Sequence, residues 1–177
     1  MPLYFIAVLL PKELNELIMQ DKLWMKDNFG CEVALRSPAH ITLVPPFHLP
    51  KENEESIAND LKDFCQSWSP FEVLLSDYGY FAPRVIYVDV APSPGLLKLK
   101  AGLQDFLISA GHKIKTDDRP FHPHITIANR DLERKDFYKA KQYFDNKNFE
   151  AAFTANNISL LRSEPAGWVV ARSASFI

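Results

Sequence analysis

The chain reads as a bilobal α+β protein, with two related lobes of mainly antiparallel sheet plus helices facing each other across a central cleft. Three observations predict this. First, His40-Ile41-Thr42-Leu43 and His124-Ile125-Thr126-Ile127 repeat one pattern (His, apolar, Thr, apolar) 84 positions apart. Second, both copies have the same sequel: a helix, then Phe71-Glu72 or Phe149-Glu150 opening a strand at offsets of 31 and 25 residues from the histidine, then further strand. Third, segments of period-2 alternation are interleaved with segments whose apolar residues recur at helical spacing. Repeated order of this kind marks an internal duplication and a pseudo-two-fold arrangement of lobes.

The elements follow in order. Residues 3–10 form an apolar strand that stops at Pro11-Lys12, too short a run for a membrane span or an ordinary signal sequence. Lys12 to about Phe29 is a helix with Leu14, Leu17 and Ile18 on one side, ended by Gly30. Glu32 to Arg36 reads as a short strand. The first motif strand, near 40–44, is expected to stop at Pro45-Pro46, because proline cannot donate to a sheet ladder; its histidine therefore lies at the strand's start. From Lys51 to Trp68 the apolar positions Ile57, Leu61, Phe64, Cys65 and Trp68 have helical period, and strands follow at 71–80 and 84–90. Ser93 opens a Leu-rich helix reaching about Ala110. The second motif strand follows Pro120 and Pro123, Asp131 reads as the N-cap of the next helix, and strands near 149–154, 157–162 and 168–175 complete the order.

Bulk properties narrow the function. With 177 residues, 47% hydrophobic and 24% charged, the sequence reads as one domain over 1–177 that needs no staple to fold. Twenty Lys and Arg against 22 Asp and Glu leave a formal charge of -2, which excludes a global field for gripping long duplex nucleic acid. A small anionic substrate in a local cationic pocket remains compatible with that total. Cys31 and Cys65 lack a CxxC spacing and read as thiols in a reducing, cytoplasmic setting, with no membrane partner and the chain a monomer.

The two motifs carry the chemistry. In a strand, successive side chains point to opposite faces, so His40 shares a face with Thr42, and His124 with Thr126, while the apolar residues between them anchor the other face. Composition predicts roughly 0.1 His-x-Thr occurrences in the whole chain, and there are two. Cleaving a phosphodiester without a metal requires one group to take a proton and another to deliver one. Two imidazoles, with an ordinary pKa of about 6.5, do both near neutrality. A hydroxyl beside each suits charge building on the nonbridging oxygens of the transition state. Two near-identical motifs do not say which histidine is which; we take His124 as base and His40 as acid.

The same residues resemble a known family. His40-Ile41-Thr42-Leu43 within Ala39 to Phe47, and Pro123-His124-Ile125-Thr126-Ile127-Ala128, are similar to the two signature motifs of the two-histidine (2H) phosphoesterase superfamily, in its bacterial branch of 2'-5' RNA ligase-like proteins and cyclic phosphodiesterases. The resemblance covers essentially the whole chain, including Phe81 to Val90. It implies a bilobal α+β fold, catalytic His40 and His124, phosphate-binding Thr42 and Thr126, and neither metal nor cofactor. It further implies a substrate bearing a 2',3'-cyclic phosphate, a 2'-5' linkage or ADP-ribose cyclic phosphate, on a nucleotide or RNA end. Where many relatives have a basic residue directly after the second motif's Ala, this chain has Asn129 and then Arg130. Two alternatives stand beside hydrolysis: a catalytically weak protein that binds RNA ends or nucleotides, and RNA 2'-5' ligation.

Several neighbours are candidates for touching substrate. Phe47, Tyr78, Tyr80 and Phe81 offer base stacking, of which Phe47 and Phe81 are favoured, and core packing is the competing role. Arg84, Arg119 and Arg130 offer guanidinium forks for phosphate, and Arg130 ranks first by its nearness to His124. Lys113 and Lys115 approach the second motif, opposed by Asp117 and Asp118. His122 and His124 share a strand face as a metal-binding pair would, yet no HExxH or Cys-His zinc pattern completes a site. His48 and His112 read as surface residues.

Overall fold

The computed structural model describes residues 1–177 and consists of two four-stranded sheets and four α-helices. The strands are β1 (Leu3–Leu9), β2 (His40–His48), β3 (Phe71–Phe81), β4 (Val85–Val90), β5 (His124–Ala128), β6 (Glu150–Ala155), β7 (Asn157–Glu164) and β8 (Gly167–Ser175). The helices are α1 (Lys12–Phe29), α2 (Glu54–Cys65), α3 (Pro94–Ser109) and α4 (Arg134–Asp145). One sheet has the order β2-β1-β7-β8 and the other β5-β4-β3-β6, every neighbouring pair antiparallel.

The pseudo-two-fold is visible in this order. Each motif strand is the edge strand of its sheet, hydrogen-bonded to the strand that precedes it in the chain, and β2 and β5 approach each other between the sheets. The helices cross over: α1 touches β5, and α3 touches β2. The expected sequel needs one adjustment. By position from the motif strand, the equivalent of β3 is β7, not β6, because β3 leaves the first motif's sheet to pair with β4 and β7 leaves the second motif's sheet to pair with β1. The two repeats thus exchange strands, and a core of 40 buried residues runs through both sheets.

Four local expectations are corrected. Val33–Arg36 is a 3-10 helix, not a strand. The first motif strand does not stop at Pro45-Pro46 but runs to His48: as an edge strand it pairs on one side only, and a register shift between Val44 and Phe47 absorbs the prolines. Asp131 does not cap α4, whose N-cap is Glu133. Its Oδ2 instead accepts from the backbone N–H groups of Glu32 and Val33 at 2.6 and 2.9 Å, satisfying the start of the 3-10 helix. Finally, the buried stripe of α1 is Ile18, Asp21, Lys22 and Met25, while Leu17 is 46% exposed. Asp21 tolerates burial because Tyr78 Oη donates to it at 2.6 Å and Lys147 pairs with it.

Elsewhere sequence and structure agree. Ser93 Oγ caps α3 by accepting from Leu96 N–H at 3.2 Å, and α2 buries Ile57, Leu61, Phe64 and Cys65 as its periodicity requires. Both cysteines are free, and burial pushes each thiol up to about 11. No helix is long and apolar enough to cross a membrane.

Candidate active site

His40 and His124 are the first residues of β2 and β5. Each ring is held in the same way. His40 Nδ1 donates to the carbonyl oxygen of Pro38, and His124 Nδ1 to that of His122, both at 2.7 Å and both two residues back along the chain. The bond defines one tautomer of the neutral ring and leaves Nε2 as the nitrogen available to the cleft.

The cleft has two halves joined at Thr42 and Pro46. One, of about 410 Å³, is lined by His124 and Thr42 with Phe81, Lys100, Phe121 and Arg119. The other, of about 520 Å³, is lined by His40, Thr42 and Thr126 with Phe5, Trp168, Asn129 and Arg130. The four motif side chains predicted to act together are therefore brought to one cleft, each half combining groups from both motifs. Register places them there: in the second lobe Thr126 lies opposite Tyr87 and His124 opposite Asp89, and in the first Thr42 lies opposite Ala7 and His40 opposite Leu9.

The surroundings of the two histidines differ. His40 packs on Phe5 at 4.7 Å between ring centroids, and Phe5 packs edge-on against Trp168. Burial drives the His40 imidazolium pKa down to about 4; the Pro38 carbonyl opposes this, and the charges of Lys22 and His124 reinforce it. His124 lies against Phe81 and Tyr87, each at 5.1 Å. Its pKa is also lowered by burial and by the charge of His122, while the His122 carbonyl and, more weakly, the Asp89 carboxylate work in the opposite sense. No carboxylate does this for His40.

Other candidates are sorted by the fold. Phe81 and Arg130 line the cleft. Phe47 does not: it is 5% exposed and packs on Tyr4, because strand alternation and the register shift turn it into the core while Pro46 faces the cleft. Tyr78 and Tyr80 face Asp21 and Asp145, to which their hydroxyls donate. Arg119 lines the cleft but is folded onto Asp117 through three hydrogen bonds. His122 Nε2 lies 3.1 Å from Asp89 Oδ1 and 3.3 Å from Tyr87 Oη, an arrangement that steadies the carbonyl holding His124. No three His, Cys, Asp or Glu side chains converge as metal ligands would. His112 is not a surface residue: its side chain is 11% exposed and pairs with Asp60 of α2 at 2.6 Å. Sequence reasoning missed Phe5, Trp168 and Lys22 around His40, since only the pairing of β1 with β2, the β1-β7-β8 order and the packing of α1 bring them near.

The family model for the 2'-5' RNA ligase superfamily matches residues 19–167. The chain belongs to that superfamily. Among curated relatives, a Bacillus cytotoxicus protein named “Putative phosphoesterase” is 32% identical over 114 residues, covering 57% of this chain and 63% of that protein. A Bacillus thuringiensis protein of the same name is 34% identical over 93 residues, covering 51% of each. The aligned part thus spans between about half and 63% of those relatives' length. Among solved structures, the Thermus thermophilus protein TT0787 superposes with a TM-score of 0.75 at 25% identity, covering 99% of this chain and 98% of that one. Escherichia coli LigT, solved in complex with 3'-AMP, superposes with a TM-score of 0.66 at 21% identity over 99% of this chain and 98% of its own. The LigT likeness is one of fold and extends over both lobes.

Proposed function

We propose that the protein is a phosphodiesterase that opens the 2',3'-cyclic phosphate of a nucleotide or RNA end by two-histidine acid-base catalysis, without a metal. The observation carrying this reading is the matched pair of imidazoles, each locked through Nδ1 to a carbonyl two residues back and each presenting Nε2 to a cleft that also holds Thr42 and Thr126. The threonine hydroxyls supply hydrogen bonds to the nonbridging oxygens as charge develops there, a contribution of about 10²–10³ in rate per donor in comparable sites.

The electrostatics favour the opposite division of labour from that assigned to the bare motifs. His40, held down to about 4 with no carboxylate to compensate, is the neutral imidazole and suits the base. His124, whose downward shift is smaller and is opposed by the His122 carbonyl and by Asp89, suits the acid. Water attacks phosphorus as His40 Nε2 takes its proton, the bond from phosphorus to O3' breaks, and O3' receives the proton of His124 Nε2. The product is a 2'-phosphate. The substrate and this outcome follow the superfamily's chemistry, and the cleft supports them by its residues.

The test is incubation with the four 2',3'-cyclic nucleotides in EDTA, followed by phosphorus NMR, with His40→Ala and His124→Ala in parallel. Monophosphate release by the wild type, reduced at least about 10²-fold in both variants, is the expected result. Unchanged turnover in either variant, or turnover that EDTA abolishes, overturns the reading. Joining of cleaved RNA halves faster than hydrolysis would replace it with ligation.

A further inference from the structure

Beyond the four motif side chains, the cleft continues into an open recess of about 810 Å³. Asn129 and Arg130 belong to both, lining the half that holds His40 and Thr126 as well as this outer recess. The outer wall adds Arg84, in the turn just before β4, and Arg134, the first residue of α4. All three guanidiniums are exposed, and none is held in an ion pair. Arg119, by contrast, is neutralised by Asp117.

Two carboxylates share the recess, Asp131 and Glu133, against three guanidiniums, and the Oδ1 of Asp131 is buried without a hydrogen-bond partner. Asp131 accepts two backbone N–H bonds from the other lobe, and Glu133 pairs with Lys135 at 3.4 Å. The start of α4 faces the same recess with no side-chain cap, and the positive end of its dipole adds to the field of the arginines. In a chain of net charge -2, three unpaired guanidiniums along one groove leading out of the active site are a local exception.

We propose that this groove is a second phosphate subsite, built by Arg84 and Arg134 with Arg130 at the junction, that holds the phosphodiester on the 5' side of the terminal ribose of an RNA ending in a cyclic phosphate. The inference rests on the cyclic phosphate occupying the His-Thr cleft. A nucleoside 2',3'-cyclic phosphate has one phosphate and leaves the groove empty, whereas an oligonucleotide with the same end has a second phosphate one nucleoside away. ADP-ribose cyclic phosphate carries a pyrophosphate in the same relation and would exploit the same charges.

The experiment compares kcat/KM for adenosine 2',3'-cyclic phosphate, a diadenylate ending in 2',3'-cyclic phosphate and ADP-ribose cyclic phosphate, for the wild type and for the double variant Arg84→Ala, Arg134→Ala. In parallel, calorimetry measures the Kd of a diadenylate 3'-phosphate, which needs no turnover. The wild type is expected to prefer the diadenylate by about tenfold or more, and the double variant to lose that preference and weaken diadenylate binding by about tenfold. The salt slope of binding should also fall, by about 0.7 for each phosphate contact removed. Equal kcat/KM for diadenylate and mononucleotide in the wild type, or an unchanged diadenylate Kd in the double variant, would overturn the subsite. A larger preference for ADP-ribose cyclic phosphate, lost in the same variant, would overturn the RNA assignment. Absence of turnover on every substrate would sink the catalytic reading, and the Kd comparison would still decide the groove.

Discussion

Lys22 donates its one hydrogen bond to the carbonyl oxygen of Ser37 at 3.0 Å, fixing the interior of α1 to the segment that delivers His40. The same segment is held again where Asn15 Oδ1 accepts from Ala39 N–H at 2.7 Å. Lys22 is 2% exposed, and burial lowers its pKa to about 8. Its charge opposes protonation of His40.

Lys22→Met is therefore expected to raise the His40 pKa, moving the acid limb of the pH-rate profile to higher pH; NMR titration of the imidazole checks the shift. Stability has its own sign. Between about pH 8 and 10.5 the unfolded lysine holds a proton that the folded one has released, so wild-type stability rises with pH across that window by up to about 3 kcal/mol. Chemical denaturation at pH 7.5 and 10 should show this rise, and Lys22→Met should flatten it.

His40 gives a second pH window. Its folded pKa of about 4 lies below the unfolded value of 6.5, so the unfolded state binds the extra proton between these limits and stability falls as pH drops through them, by up to about 3 kcal/mol. Urea midpoints at pH 7 and 4.5 should differ less for His40→Gln than for the wild type. An identical difference would mean that the imidazole is not kept neutral by burial.

Gly79 and Tyr87 are cross-strand partners, and a Cβ on Gly79 would lie 2.3 Å from the tyrosine ring. Because Tyr87 packs on His124 and touches His122, Gly79→Ala should push the ring into the site. The expected outcome is a loss of about 1–3 kcal/mol of stability together with a fall of about tenfold or more in kcat/KM, read by thermal melts and steady-state assays. A stability loss without a rate loss would show that Tyr87 does not position His124.

Glu54 is buried beneath Tyr4, Arg162 and Arg172, accepting from the tyrosine hydroxyl at 2.9 Å and pairing with both guanidiniums. These partners hold its carboxyl below the usual range. Glu54→Ala removes the acceptor of Tyr4 and one partner of each guanidinium, although Arg162 keeps Glu164 and Arg172 is half-exposed, and is expected to cost about 1–3 kcal/mol, measurable by denaturation, with the His40 and His124 titrations unmoved in the fraction that stays folded.

Much of the fold could be read from local pattern, and its failures share a cause. Ser93, Ile57 and the Leu-rich run of α3 signal their structure through neighbours a few residues away. Leu17 and Phe47 mislead because an apolar residue reports only that some surface is available, not which side of its element the rest of the chain covers. Asp131 has the side chain of an N-cap, but its Oδ2 accepts from the start of a 3-10 helix 98 residues earlier instead of from its own helix.

By itself the sequence determined that two His-x-Thr pairs exist, that each pair shares a strand face with its histidine at the strand's start, and that helices and strands alternate around them, because each of these follows from a period of two or 3.6 residues. Only the tertiary structure decided that β2 and β5 are facing edge strands, that the repeats exchange β3 and β7, that Arg84 and Arg134 share a groove with Arg130, and that His40 is the more strongly neutral of the two imidazoles. Those properties depend on register and on contacts between residues far apart in the chain, and local periodicity carries no information about them.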